Sequence, residues 1–206
     1  MKRSVRSKVG MGVVLFAALA LFAGTVQAQM ASAATAAPTG GSDVLRIRKM
    51  APVPGTKTPV FRTAVQGQAS AKQPDWWRVM VEYETAPDWV DELEFTYYVY
   101  MKDQSNKNAD TMFRGTVTYV NVAKGRHYSD MFLHPSTLAR LGRVEQVAVV
   151  VKARGAVVAT ESTAQTPNWW DRFSPVDGVL LNRAQTPFAF VDYDLYEQIK
   201  PAAVAR

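Results

Sequence analysis

The chain of 206 residues contains no cysteine, so disulfides and Cys-ligated zinc or iron–sulfur sites are excluded, and an exported fold would have to stand on its hydrophobic core alone. Histidine is almost as scarce. His127 and His134, the only two, lie seven positions apart in and just after a strand-like segment, which is not a zinc-binding spacing. The sequence has no Gly-rich phosphate loop, EF-hand loop or dinucleotide fingerprint, and no Gly-x-Ser-x-Gly nucleophile elbow. Excess charge is also missing from the body of the chain. Of 24 Lys and Arg, four (Lys2, Arg3, Arg6, Lys8) fall in the first 28 residues, leaving 20 basic against 18 acidic side chains downstream. The net charge of +6 is thus largely a property of the leader, and no strongly basic surface argues for nucleic-acid binding.

What is present begins with a basic stretch, an apolar run from Met11 to Ala23 and small residues at Val26-Gln27-Ala28, the three parts of a secretory signal peptide. Cleavage would leave no stable membrane span. The competing reading is an uncleaved anchor, because residues 9–28 are long enough to cross a bilayer. Residues 29–43 are nearly all Ala, Thr, Ser and Gly, too poor in large apolar side chains to offset the entropy of ordering, and read as a flexible linker. The expected organisation is a signal peptide over 1–28, a linker over 29–43, one folded domain over 44–201 and a tail over 202–206. The expected location is the periplasm or the cell surface and outer membrane.

Within the domain the dominant signal is alternation with period two. Trp77, Val79, Val81 and Tyr83 fall on one face of a strand, with Arg78, Met80, Glu82 and Glu84 on the other. Leu93, Phe95, Tyr97, Val99 and Met101 repeat the device, and these two strands are expected to pair. Further strands are expected over 44–50, 59–67, 112–123, 127–133, 144–153 and 156–163, with the nearly all-apolar 146–151 covered on both faces. Arg154-Gly155 marks a hairpin turn. Helix is expected only over 135–141, between Pro135 and Gly142, and over 192–200 before Pro201. Many short strands with turns between them predict an all-β, immunoglobulin-like β-sandwich of about seven to nine antiparallel strands with one or two short helical turns.

No catalytic constellation emerges. Glu82, Glu84, Asp91, Glu92 and Glu94 read as an acidic outer patch rather than an acid–base pair across a cleft, and Ser129 and Asp130 as an outward strand or turn. No catalytic residue, metal ligand or cofactor is expected. All five tryptophans follow Pro and Asp or Asn: Pro74-Asp75-Trp76-Trp77, Pro87-Asp88-Trp89 and Pro167-Asn168-Trp169-Trp170. One reading is that they cap the ends of the core. The other is that Trp76, opposite Trp77 on its strand, and the loop pair Trp169 and Trp170 with Asp171, Arg172 and Phe173 form a contact surface.

The segment over 76–102, centred on Val-Glu-Tyr-Glu-Thr-Ala-Pro-Asp-Trp-Val-Asp-Glu-Leu-Glu-Phe-Thr-Tyr-Tyr-Val, resembles secreted immunoglobulin-like proteins of Verrucomicrobia and related bacteria. Pro167-Asn168-Trp169-Trp170, Thr186-Pro187-Phe188-Ala189 and Tyr196-Glu197-Gln198-Ile199-Lys200-Pro201 resemble that group's closing region. The resemblance implies a single exported domain without catalytic residues, encoded beside type IV pilus assembly components. The expected partners are therefore envelope or pilus-assembly proteins, with glycans as the alternative ligand.

Overall fold

The structure, a computed structural model, describes residues 43–60 and 73–201. The expected signal peptide, most of the linker, the tail over 202–206 and most of the strand expected over 59–67 lie outside the described residues. Seven strands form one continuous sheet: β1 (Leu45–Lys57), β2 (Asp75–Asp103), β3 (Ala109–Leu133), β4 (Val144–Ala153), β5 (Ala156–Ser162), β6 (Val176–Asp177) and β7 (Leu180–Asn182). The one α-helix among the described residues, α1 (Pro135–Leu141), starts and stops where expected. His134 caps it, its Nδ1 accepting from the Ser136 N–H at 3.1 Å, and the Gly142 N–H closes on the Leu138 carbonyl.

β2 and β3 make a long antiparallel hairpin, paired from Trp77↔Leu133 to Asp103↔Ala109. On the opposite edge of β2, β1 takes residues 75–85 and β4 takes 93–101. The two strands read from the sequence over 77–84 and 93–102 are therefore halves of one strand and do not pair with each other. They meet face to face instead. The rings of Tyr83 and Phe95 are 4.9 Å apart, although twelve positions on a straight strand would separate them by about 40 Å. The Tyr97 hydroxyl reaches Ser129 Oγ at 2.8 Å, from one half of the hairpin to the other. The hairpin is folded over, and its halves become the two layers of a sandwich.

The corner follows from local chemistry. Pro87 supplies no N–H to a ladder, and the β2–β3 register breaks between Thr85 and Trp89. Gly125 opposite adopts φ +140, which a Cβ would strain. The Thr85 hydroxyl stitches the break, donating to the Ala123 carbonyl at 2.6 Å and accepting from the Gly125 N–H at 3.1 Å. The expected turn at Arg154-Gly155 is present, with φ +50 and +80, and joins β4 to β5.

The main core lies between the layers: Trp77, Val79, Val81 and Tyr83 from one, and Leu93, Phe95, Tyr97, Val99, Val147, Val149 and Val151 from the other. At Gly115 a Cβ would stand 2.3 Å from Met131 Cε and 2.6 Å from Leu180 Cβ, so the layers approach too closely for any larger residue. The architecture is the all-β, immunoglobulin-like sandwich that the alternation predicts, with β3 and β6 the one parallel strand pair among the described residues. The helix expected over 192–200 is absent. Tyr193–Leu195 makes one 3-10 turn, after which Tyr196 and Ile199 form β-bridges to Tyr128 and Tyr119.

Burial holds most tyrosines neutral. It pushes the hydroxyls of Tyr83, Tyr97, Tyr98 and Tyr119 upward, and Tyr196 to about 12. Tyr100, whose hydroxyl donates to Asp110 Oδ1 at 2.6 Å, is also pushed up to about 12. Six of the eight tyrosines in the chain are thus raised above the ordinary value of 10.0. A group raised in the folded state keeps its full contribution to stability below the unfolded value and loses it as pH climbs through the folded one. Stability measured by denaturant melts should accordingly begin to fall near pH 10 and drop steeply toward 12, with most tyrosinate absorbance appearing together with unfolding. Tyrosinate absorbance developing fully at pH 10 in a still-folded protein would contradict this burial.

Candidate contact site

Both outer faces of the sandwich carry a small aromatic cluster of their own. Over the layer of β4 and the later half of β2, the 3-10 turn Trp169–Arg172 lays its indoles on Tyr98 and Tyr100. Trp170 stacks on Tyr98 at 5.6 Å with nearly parallel rings, and Trp169 Nε1 donates to Ser162 Oγ at 2.9 Å. Ala148, fully buried beneath them, explains why β4 reads as apolar on both faces. Over the other layer, Trp76, Phe132 and Phe188 pack together, Phe132 and Phe188 stacked at 4.8 Å, and Trp76 Nε1 donates to Thr58 Oγ1 at 3.0 Å.

The expected contact surface is corrected accordingly. Trp76, Trp169 and Trp170 are 4%, 3% and 7% exposed, so none offers an indole face to a partner. Trp76 does point away from the main core, as alternation requires, but that face is covered by Phe188 from the C-terminal segment. Of the other residues in the loop, Asp171 and Arg172 are exposed while Phe173 is half-buried against Tyr100. The capping reading of the tryptophans is the one the structure follows. The exception is Trp89, at the sandwich corner and 67% exposed.

Two further expectations change. Ser129 and Asp130 are not outward: Ser129 faces the main core, and Asp130 is completely buried beneath the C-terminal segment. Asp130 Oδ2 accepts from Arg183 Nη1 at 2.6 Å and lies 3.0 Å from Arg78 Nη2, while Arg78 also bonds the Tyr196 hydroxyl. The Arg183 guanidinium lies 3.8 Å over the Tyr196 ring. Burial pushes the Asp130 carboxyl above the usual carboxylate range, and the two guanidiniums only partly pull it back. Secondly, the carboxylates read as an acidic patch are each matched by a cation: Glu82 by Arg126, Glu84 by Arg48, Asp91 by Arg154, Glu92 by Lys200 and Glu94 by Lys152. Most of these pairs are solvated and individually worth little. They neutralise the patch.

The C-terminal segment that closes over Asp130 also builds a concavity of about 610 Å³, lined by Arg183, Ala189, Phe190, Tyr193, Tyr196 and Ile199 among others. Phe190, Tyr193 and Leu195 are 78%, 69% and 58% exposed, three large apolar side chains within six residues. Asp192 at φ +50 turns the backbone between them. The segment is held by the bond from Arg183 to the Val191 carbonyl, by the His127 Nδ1–Glu197 Oε1 contact at 2.9 Å, and by ladder bonds of Val120 N–H to Gln198 and Lys200 N–H to Thr118. The other nitrogen of His127, Nε2, faces the Ala123 carbonyl at 2.8 Å, so the imidazole is occupied structurally at both ends. The short helix that the sequence predicts over 192–200 hides this groove, which forms because Tyr193–Leu195 makes only one 3-10 turn. The signal was available in Asp192 and Asp194 alternating with large apolar residues.

Among the described residues, fold and site define an immunoglobulin-like sandwich with two capped outer faces and an open aromatic groove. Residues 42–203, more than three quarters of the chain, match the model of a family described by likeness to a prototype protein, and the chain belongs to that family. A crystal structure of a protein from Akkermansia muciniphila, one of the Verrucomicrobia, is similar with a TM-score of 0.69 and 26% identity, covering 77% of this chain and 93% of that one. The search of curated proteins gives no match. Among the described residues no helix is long and apolar enough to cross a membrane.

Proposed function

We propose that the protein is a non-catalytic contact domain of the bacterial envelope, exported to the periplasm or cell surface and working with a type IV pilus-like or secretin assembly. The family match and the verrucomicrobial relative support the setting, together with the leader-like segment at the start of the chain. The observation that carries the contact role is the exposed pair Phe190 and Tyr193 lining a groove of about 610 Å³, in a domain whose tryptophans are all spent on packing except Trp89. A glycan-binding role retains one supporting observation, the free indole of Trp89.

Cross-linked pull-down from cells tests the reading. The wild-type chain should recover pilus-assembly or secretin proteins, and the Phe190→Ala/Tyr193→Ala variant should recover markedly less while melting like wild type. Equal recovery by both would remove the groove from the contact. Recovery of no envelope-machinery protein by either, with binding to a glycan array lost in Trp89→Ala, would replace this reading with the glycan one.

A further inference from the structure

Beside the cap of Trp169 and Trp170 lies a second cavity, about 350 Å³ in volume, that shares no residue with the groove on the C-terminal segment. Its inner wall is aromatic. Tyr100, Trp169 and Phe173 meet there with ring centroids 5.2 to 6.4 Å apart, and Phe173 is the only one of the three that is not fully buried. A break of register in β4 builds one side of the rim. Tyr100 lies opposite Gln146 but Met101 opposite Val144, so Glu145 is the extra residue of a bulge. Val144 and Val147 both pack toward the main core, which leaves Glu145 and Gln146 side by side at the cavity. Lys102 follows Tyr100 at the next outward position of β2, and Thr166 and Arg172 complete the rim from the chain after β5.

These rim side chains are unspent. On a surface where Glu84, Asp91, Glu94 and Asp177 each hold a cation, Lys102, Glu145 and Arg172 make no ion pair or side-chain hydrogen bond among the described residues. Asp110, opposite Lys102 in register, is engaged by the Tyr100 hydroxyl. The Glu145 charge is near enough to add to that bond and to burial in pushing the hydroxyl up to about 12. The cavity thus sets two cations and one carboxylate around an aromatic wall. A simple anion would answer the cations and be repelled by Glu145, while a neutral apolar occupant would strip all three charges of water without compensation.

We propose that this cavity binds an α-carboxylate whose neighbouring nitrogen carries hydrogen, the chemistry shared by a free amino acid and by the last residue of a peptide. The planar fork of Arg172 takes the carboxylate in bidentate fashion, with Lys102 as a second point of positive charge. Glu145 and the Gln146 side-chain oxygen accept from the ligand's N–H. An apolar side chain on the ligand packs against Phe173, and the volume lies within the usual range for a small-molecule site. The bulge is what makes the site specific, since without it Glu145 would not stand beside Gln146.

Calorimetric titration of the full chain with N-acetyl-alanyl-leucine, its C-terminal amide and free leucine tests this. The acid should bind about tenfold more tightly than the amide, and Arg172→Gln or Lys102→Gln should each remove most of that difference while leaving the amide unchanged. Glu145→Gln separates the two sources of the ligand. It should weaken free leucine, whose ammonium needs the carboxylate, several-fold more than the acetylated dipeptide, whose N–H an amide oxygen can still accept. The three substitutions are at exposed positions, and an unchanged melting curve confirms that each variant is folded. Equal binding of acid and amide would overturn the carboxylate requirement. Tight binding of the acid that survives both cation substitutions would place its site elsewhere and overturn the assignment. Binding of methyl glucoside, with all three carboxylate and amide probes silent, would make the cavity a saccharide site instead, and silence from every probe would overturn the proposal outright.

Discussion

Replacing Asp130 with alanine is expected to destabilise the domain by about 3–5 kcal/mol, because it strips two guanidiniums of the carboxylate they converge on while leaving both beneath the C-terminal segment. Arg183 is almost wholly inaccessible and cannot turn to solvent without lifting that segment from the sheet. The result to look for in urea melts is a large fall in midpoint, accompanied by earlier exposure of the Phe190–Leu195 region to proteolysis. The cluster is nonetheless poor evidence of net stabilisation. Asp130 Oδ1 and the Nε atoms of Arg78 and Arg183 have no hydrogen-bond partner, and burial outweighs the attraction of both cations in setting the carboxyl's affinity for its proton. The combined variant Asp130→Leu/Arg78→Met/Arg183→Met should therefore regain most of what Asp130→Ala loses. A melting midpoint for Asp130→Ala within error of wild type would mean that the arginines find water, and that the segment is held by Phe188 and the ladder bonds alone.

The double variant Trp169→Ala/Trp170→Ala should be largely unfolded. Truncating one buried tryptophan typically costs about 3–5 kcal/mol, and a domain of this size has about 5–15 kcal/mol in total. Here both indoles are removed from one cluster, exposing Ala148, Met112 and the face of Tyr98. Trp170→Ala alone should remain folded but melt at clearly lower denaturant, since it loses the stack on Tyr98. Trp169→Ala also removes the indole N–H that donates to Ser162 Oγ at the end of β5, leaving that oxygen only the Ala164 N–H. A double variant with wild-type melting would return these residues to the list of contact candidates, with the pull-down as the next measurement.

The sequence carried the strands through their alternation, the β4–β5 turn through Arg154-Gly155, and α1 through its Pro and Gly boundaries. Each of these rests on neighbours within a few positions. What it did not carry was the union of two strands into one bent β2, because Pro87-Asp88 is as good a chain reversal as it is a corner; only the position of β1 and β4 along the same edge decides between them. The tryptophans failed for a related reason. Alternation correctly sent Trp76 and Trp77 to opposite faces, but period two identifies a face without saying whether a distant segment covers it. Phe188 lies 112 positions beyond Trp76, and nothing local announces that contact. The groove was hidden by the same long-range closure, since its lining is assembled only when the stretch around Asp192 turns back onto β3.

The folded-over hairpin has one more consequence. In a sandwich built from separate strands, the layers can loosen one at a time; here β2 and β3 run through both, and Thr85 bonds the corner to Ala123 and Gly125. Fraying of either layer propagates along shared backbone into the other. Amide protection across β2 and β3 should then report a single opening event for the whole core, rather than a slow layer and a fast one. Assembly has the opposite asymmetry. Asp103 meets Ala109 across a short turn, whereas Trp77 must find Leu133, 56 residues away, so the hairpin zips from its turn toward the corner and the second layer waits on the first.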